Sequence, residues 1–424
     1  MEILDSRKHI RREDNCRYYY ILLLCAFWCN ACFFEFGTVV IDKILQIAGS
    51  KDIIKPLVFV FLTARSWQYM KARISSKNWA FFIFASIIYL ANFVLFPENE
   101  ENLLKYFPDY FFALIFFFLG ISINIDQDKD YLYYASILNL VSSAFYNLVF
   151  THSAGYSGSA IELGESIHDM PQAYYVLPSV IYITWIALER FRISDIYKFP
   201  VYSSVALSVL GLLLESSFGT RGPLVCVITF IVLYVLLVRK TKHPWFYRSL
   251  TLILGIVAYS FLNELLIIMA GLTSALGMSD RIFTLALEGT FSQGEDSSDQ
   301  RWMMINTIRN ELSQNDMSAL WGHGFTGFWN ELGGYPHNVI YEMVLTFGLV
   351  LGGAFIIILI LILVKAYIKN RNHSFRGFLI VILACGFIKL LMSSTFIAEP
   401  FFFMLIGYCL NNCRANDRLI KYKQ

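Results

Sequence analysis

Charged residues are scarce in this sequence. Only 16% of its 424 residues are charged and 57% are hydrophobic, whereas a soluble domain carries about 25% charged residues. The mean hydropathy is +0.54, and the apolar residues form continuous blocks, many near or above the ~18 residues that cross a bilayer as a helix. Because the blocks are continuous, they argue against the alternating pattern of transmembrane β-strands. The sequence therefore predicts an all-α polytopic membrane protein.

Metal-binding cysteine clusters are absent as well. The eight cysteines lie in predicted spans or on the predicted cytoplasmic side, and none lies in a predicted outer loop: Cys16, Cys25, Cys29, Cys32, Cys226, Cys385, Cys409 and Cys413. Cys25, Cys29 and Cys32 share one helical face, which we interpret as a helix contact made by small apolar residues. No Cys/His set has convincing zinc spacing. We expect no disulfide framework, no metal, no cofactor and no nucleic-acid partner.

Twelve apolar blocks predict about twelve transmembrane helices. The blocks are 18–41, 53–70, 79–96, 110–125, 131–151, 173–190, 200–217, 223–238, 249–270, 338–364, 376–394 and 398–411. Short cytoplasmic connections are rich in Lys and Arg. Most alternate connections fit this rule, as do the two ends: Arg7–Arg17, Lys71/Arg73/Lys77, Arg190/Arg192/Lys198, Arg239/Lys240/Lys242/Arg248, Lys365/Lys369/Arg371/Arg376 and Arg414/Arg418/Lys421/Lys423. Both termini are therefore expected in the cytoplasm.

The connections predicted on the opposite, outer side are acidic or neutral. The stretch 97–109 carries three Glu residues, and 152–172 has acids but no Lys or Arg. The longest outer loop, 271–337, is far longer than a connector requires. Two places fit this threading poorly, namely the acidic inner stretch 126–130 and the outer basic residues Lys43, Lys51 and Lys55. We expect residues 1–424 to form one integral membrane domain that includes this long loop.

A short outer turn carries the first candidate site residue. Pro is favoured in the first turn of a helix, so Pro223 predicts the start of a span with Arg221 just before it. Free N–H groups and the helix dipole favour an anion there, and a guanidinium adds paired donors for phosphate. Arg221 is therefore a candidate phosphate-binding residue. The alternative is an arginine that only reaches the lipid headgroups.

The long loop repeats this arrangement. Ser297 or Ser298 is predicted to cap a helix that runs to about Leu312, with Arg301 in its first turn. Several residues near one face predict an amphipathic helix on the membrane surface: Trp302, Ile305, Ile308, Arg309 and Leu312. Arg281 is a further cation of the same loop. Headgroup binding remains the alternative for Arg281 and Arg309.

The loop ends on a histidine that precedes a span. His337 and Asn338 follow Pro336 at the predicted N-terminus of the block 338–364. A positive helix end disfavours imidazolium, so the ring should tend toward the neutral form that a general base requires. Asn338 is expected to cap the helix or to contact substrate. A histidine at a helix start can also be purely structural.

These motifs together resemble the O-antigen polymerase and O-antigen ligase family of bacterial envelopes. The shared features occur in one order over about residues 200–360: Thr220-Arg221-Gly222-Pro223, the Ser-rich approach to Arg301, Gly322-His323-Gly324 and Pro336-His337-Asn338. The resemblance implies a glycosyltransferase of the inner membrane, active at its periplasmic face on undecaprenyl-diphosphate-linked oligosaccharides. It also implies that Arg221 and Arg301 hold the donor diphosphate, that His337 activates the acceptor hydroxyl, and that no metal takes part.

Three functions stay open at this point. A polymerase that moves the growing glycan onto a lipid-linked repeat unit is preferred, with a ligase that moves finished polymer onto lipid A core as the alternative. A flippase or exporter of the lipid-linked sugar would instead show polar residues converging at mid-membrane. The charges that favour it, Lys389, Glu215, Glu264 and Glu35, form no obvious paired set. Membrane lipids, a chain-length regulator and a flippase of the same pathway are the expected partners.

Overall fold

The described part of the protein is helical throughout. A computed structural model describes residues 2–29, 50–146, 169–192, 199–217, 221–238, 297–313 and 317–411, with isolated positions between 267 and 275. Within these residues about 89% are helical and none lies in a strand, so the predicted all-α class is confirmed. Most of the block 249–270, the stretch 152–168 and most of 271–296 lie outside the described residues.

The described helices are numbered here in chain order. They are α1 Glu2–Trp28, α2 Ser50–Lys71, α3 Ser76–Leu95, α4 Glu100–Ser122, α5 Ile125–Tyr146, α6 Asp169–Arg192, α7 Phe199–Ser217, α8 Arg221–Leu233, α9 Ser297–Ser313, α10 Met317–Trp321, α11 Trp329–Leu332, α12 Val339–Lys369, α13 His373–Met392 and α14 Pro400–Asn411. A π-helical segment, Tyr234–Val238, continues α8, and another, Ala384–Ile388, lies inside α13.

Several of these helices are long and apolar enough to cross a membrane. Among the described residues there are four such helices: Ser76–Leu95, Pro97–Ser122, Val339–Lys369 and His373–Met392. Shorter apolar helices cover Ala173–Glu189, Tyr202–Leu214, Gly222–Val238 and Pro400–Leu410. A membrane protein is supported, and the total of twelve spans stays a prediction.

Two helices begin earlier than their apolar blocks. Most of the predicted connection 97–109 is helical, because Pro97–Asn99 forms a 3-10 turn and α4 begins at Glu100. Likewise α5 begins at Ile125, with Asp126 and Asp128 in its first turn. Acidic residues are stabilised at helix N-termini by the dipole. Hydropathy therefore placed both helix starts too late.

The chain divides into two compact units. The first consists of residues 1–72 and 124–289, and the second of residues 73–123 and 290–424. Each unit combines an N-terminal segment with a later one.

In the first unit, α1 packs along α5. The Tyr20 hydroxyl donates to Asp128 Oδ2 at 3.0 Å, and Trp28 Nε1 donates to Ser136 Oγ at 2.8 Å. Cys29 Sγ lies 2.9 Å from the Ala135 carbonyl oxygen, which supports the interpretation of this cysteine face as a helix contact. Cys32 lies outside the described residues. The buried Asp128 also explains why an acid sits in a predicted inner connection.

In the second unit, α4 and α14 cross at close range. A Cβ added at Gly120 would lie 2.1 Å from the Met404 carbonyl oxygen, and one at Gly407 would lie 2.1 Å from that of Phe117. Only glycine allows the two backbones to approach this closely, as is common where membrane helices pack. Helices α4 and α14 therefore pack backbone against backbone in this unit.

Candidate functional site at the start of helix α12

Helix α12 is interrupted nine residues after its start. Gly348 has φ 76° and ψ 171°, which are not helical values. The carbonyls of Leu345 and Thr346 accept hydrogen bonds from the N–H groups of His323 (2.7 Å) and Gly324 (3.1 Å). The loop segment 322–324 thus pairs with backbone groups next to the break.

Glycine is required on both sides of this contact. Gly322 has φ 81°, and a Cβ there would lie 2.4 Å from the Thr346 carbonyl oxygen. A Cβ on Gly348 would lie 2.0 Å from the Leu320 carbonyl oxygen. The Gly-x-Gly spacing that the sequence showed is therefore explained by the close approach of a loop to a broken helix.

The same loop is tied to the adjoining ends of α3 and α4. Asn92 Oδ1 accepts the N–H of Phe325 at 2.7 Å, and Asn99 Nδ2 donates to the His323 carbonyl at 2.7 Å. These contacts bring the end of α3, the start of α4 and the start of α12 to one end of the second unit. At other helix ends, Arg73 donates to the Ser122 carbonyl, and Arg376 Nε donates to the Asn370 carbonyl at 2.8 Å.

His337 lies directly before α12. Asn338 is the N-cap residue, and its Oδ1 accepts the N–H groups of Ile340 (3.0 Å) and Tyr341 (3.4 Å). The predicted capping role is therefore confirmed. His337 is half-buried and adopts φ 55°, in the left-handed region that non-glycine residues rarely occupy. Its imidazole packs on the ring of Tyr335, with 4.3 Å between ring centroids.

Helix α9 carries Arg301 and packs on the first part of α12. The predicted helix is present and spans Ser297–Ser313, but Ser297 and Ser298 lie inside it and not at the predicted cap position. Arg301 is its fifth residue, one position beyond the first turn. Ile308 is fully buried in a cluster with Leu332 and Leu345, against which Met304 and Leu312 also pack. At least part of the predicted amphipathic face is thus covered by protein. Arg309 is exposed and lies outside this contact.

Arg221 belongs to the first unit. It is the first residue of α8, and Pro223 is the third, so the predicted helix start is two residues late. A Cβ on Gly222 would lie 2.0 Å from the Tyr174 hydroxyl oxygen, so a larger residue beside Arg221 would require the tyrosine side chain to shift. Arg281 lies outside the described residues.

The sequence did not reveal two buried carboxylates of the second unit. Glu342 is 1% exposed and accepts hydrogen bonds from the Thr395 hydroxyl and, at 3.2 Å, from the Phe396 N–H. Glu399 is 2% exposed and forms an ion pair with Lys389. Lys389 was considered only with Glu215, Glu264 and Glu35, and its partner Glu399 was not among them. Glu399 lies ten residues further on, at the end of the break between α13 and α14.

The described residues include no group of three or more His, Cys, Asp or Glu side chains that could hold a metal ion. The imidazole of His323 lies beside α9, where its Nε2 is 3.5 Å from Glu311 Oε1. The geometry around α12 therefore offers a histidine at a capped helix start and an arginine-bearing helix packed nearby. Comparison of the chain with protein-family models, with curated proteins and with solved structures finds no match.

Proposed function

We propose that this protein is a membrane glycosyltransferase that polymerises a surface polysaccharide, such as O-antigen, from undecaprenyl-diphosphate-linked repeat units. The observation that carries the proposal is the start of α12. There His337 precedes a membrane-length helix that is capped by Asn338. Helix α9, which bears Arg301, contributes Ile308 to one buried cluster with Leu345, which lies in the nine residues 339–347 before the break in α12. The resemblance of the motifs around these residues supplies the substrate class.

The proposed chemistry is a displacement at the anomeric carbon of the donor sugar. The imidazole of His337 takes the proton of the acceptor hydroxyl, whose oxygen forms the new glycosidic bond. The bond from the anomeric carbon to the phosphate oxygen breaks, and the lipid diphosphate leaves with the electron pair. Arg221 and Arg301, with Arg281 as a further cation, stabilise the charge that grows on this leaving group.

Asn338 acts through His337 in this proposal. Its amide oxygen is engaged by two N–H groups of α12, so the side chain fixes the backbone from which the imidazole extends. The site would face the periplasm at the inner membrane, with both termini in the cytoplasm. A chain-length regulator and a flippase of the same pathway are the proposed protein partners.

An exporter of the lipid-linked sugar is the second candidate, because buried charges do occur in the second unit. Glu342 and the Lys389–Glu399 pair lie on or beside helices of membrane length. However, both carboxylates accept backbone N–H groups at a helix break, from Phe396 and Phe401. This use of the carboxylates is structural and favours the transferase.

The first experiment is deletion of the gene, followed by gel analysis of the envelope glycans. We expect single repeat units on lipid A core. Free polymer that is not attached to core would indicate the ligase, and loss of both polymer and capped single units would indicate the exporter.

The second step is complementation with His337→Ala, with His373→Ala as the matched control. His373 is also a histidine beside an Asn helix cap, at the start of α13, but it lies in a predicted cytoplasmic connection. We expect His337→Ala to lower chain growth by about 10²- to 10⁴-fold, the usual loss when a general base is removed, while membrane insertion is retained. Normal chain lengths with His337→Ala would contradict the proposed base.

A further inference from the structure

A row of aromatic rings leads to His337. Tyr106 of α4 packs edge-on against Trp329, with 5.0 Å between ring centroids, and Trp329 lies 6.0 Å from Tyr335. The ring of Tyr335 in turn lies 4.3 Å from His337. Trp329 is 5% exposed, whereas Tyr106, Tyr335 and His337 are half-buried. The indole therefore forms the base of the row, and the two tyrosines keep part of their surface open on either side of it.

A glycine turn holds Tyr335 in this row. Gly333 has φ 70° and Gly334 has φ 152°, and the N–H of Gly334 donates to the Trp329 carbonyl at 2.9 Å. Neither glycine has any atom within 4 Å of an added Cβ, so backbone conformation and not crowding requires glycine here. The turn reverses the chain after α11 and returns Tyr335 to the indole.

Polar groups lie beside the rings. Asn102 Nδ2 donates to Asn330 Oδ1 at 3.1 Å, and this pair is exposed to solvent. The ammonium of Lys105 lies 5.8 Å from the centroid of the Tyr106 ring. Asn102 is one turn before Tyr106 on α4, and Asn330 is next to Trp329. The surface thus combines aromatic rings with amide donors and acceptors at the end of the unit where His337 lies.

We propose that Tyr106, Trp329, Tyr335 and the Asn102–Asn330 pair form a saccharide-binding subsite next to His337. The C–H groups of a pyranose ring carry partial positive charge and pack on the negative face of an aromatic ring. Amide groups donate to and accept from the sugar hydroxyls. A purely structural aromatic cluster would bury the tyrosines, and it would not need an exposed amide pair at its edge.

The subsite takes the acceptor sugar, and this assignment rests on the proposed function. Tyr335 touches His337, so a sugar stacked on Tyr335 has its hydroxyls near the imidazole. The acceptor must present a hydroxyl to the base, whereas the donor is held by its diphosphate. Binding of a saccharide by these rings, in contrast, does not depend on the transfer reaction.

The test is binding of the repeat-unit oligosaccharide to the full-length protein in nanodiscs. The oligosaccharide is released by mild acid from the lipid-linked material of cells that lack this gene. Saturation-transfer difference NMR detects the contact with aromatic rings, and a titration gives the affinity. The variants are Tyr335→Ala, Tyr335→Phe and, as the matched control, Tyr202→Ala, which removes an exposed tyrosine of α7 (55% exposed).

We expect Tyr335→Ala to weaken binding by about tenfold or more, as the loss of one aromatic contact predicts. Tyr335→Phe keeps the ring and should stay within about threefold of the wild type, and Tyr202→Ala should bind normally. Asn330→Ala provides a second variant at an exposed position, and about threefold weaker binding is expected from one lost hydrogen bond. His337→Ala should bind the saccharide but not elongate it.

The inference is overturned if the wild type shows no saturation transfer, or if Tyr335→Ala and Asn330→Ala both bind like the wild type. The proposed function fails in a different way. In that case the wild type and Tyr335→Phe bind the oligosaccharide and Tyr335→Ala loses it, but no chain growth occurs with lipid-linked repeat units.

Discussion

At Gly348 of the candidate site, both the backbone angles and the close packing require glycine. Its φ of 76° is unfavourable for any L side chain, and an added Cβ would lie 2.0 Å from the Leu320 carbonyl oxygen and 2.6 Å from the Trp321 nitrogen. Both contacts are with backbone, which cannot rotate away. We expect Gly348→Ala to lower the free energy of unfolding by more than about 2 kcal/mol, since strain at such positions costs 1–3 kcal/mol before any clash is added.

Gly353, in the same helix, provides the control for this substitution. An added Cβ at Gly353 meets nothing within 4 Å, and alanine favours helix over glycine by about 1 kcal/mol. Thermal unfolding in detergent, followed by circular dichroism, should show Gly348→Ala well below the wild type and Gly353→Ala at or above it. Equal unfolding temperatures for the two variants would contradict the broken-helix geometry.

At the scale of elements, the break between α13 and α14 is held by carboxylates. Glu342 accepts the Phe396 N–H, and Glu399 accepts the Phe401 N–H at 3.4 Å while it pairs with Lys389. Buried irregular backbone is tolerated only where other protein groups satisfy its N–H and C=O groups. These side chains supply acceptors that the chain lacks where it leaves the helix.

The Lys389–Glu399 pair can be tested by comparing a single with a double substitution. Lys389→Met leaves a buried carboxylate uncompensated and should cost about 3–5 kcal/mol. Adding Glu399→Gln removes the charge but keeps an amide oxygen for the Phe401 N–H. We therefore expect the double variant to unfold at a higher temperature than Lys389→Met alone, as measured by the same thermal assay. A double variant that is less stable than the single one would show that the ion pair is not the cause.

The sequence predicted local features well and distant pairings poorly. The Asn338 cap and the span of α9 depend on neighbouring residues, and both were found. The starts of α4 and α5 were missed because hydropathy treats acidic first turns as loops. The Lys389–Glu399 pair and the Tyr106–Trp329 contact depend on tertiary packing, which periodicity does not report. Fold class was thus accessible from sequence, whereas most of the site's partners were not.

For the whole molecule, the break in α12 bears on where the site lies relative to the bilayer. The 21 residues 349–369 that follow Gly348 form a helix about 32 Å long, which matches a hydrocarbon core of about 30 Å. Leu349, Val350 and Leu351 are 47–58% exposed, as suits lipid contact. The preceding residues 339–347 include the buried Glu342 and Thr346. The second part of α12 alone can span, so His337 is expected in the aqueous phase at one membrane surface.

This placement predicts opposite accessibility for two exposed positions. Asn330, in the loop before His337, and Arg371, just after α12, are both exposed and would be separated by the spanning part of α12. Because the predicted topology puts the His337 end in the periplasm, a membrane-impermeant maleimide should label Asn330→Cys in cells whose outer membrane alone is permeabilised. Arg371→Cys should react only after the inner membrane is opened. The parent protein is the control, since its own cysteines are predicted in spans or on the cytoplasmic side.

Labelling of Arg371→Cys, but not of Asn330→Cys, in cells with an intact inner membrane would show that the orientation is the reverse of the predicted one. The proposed site would then face the cytoplasm, where the periplasmic polymerisation proposed here could not take place.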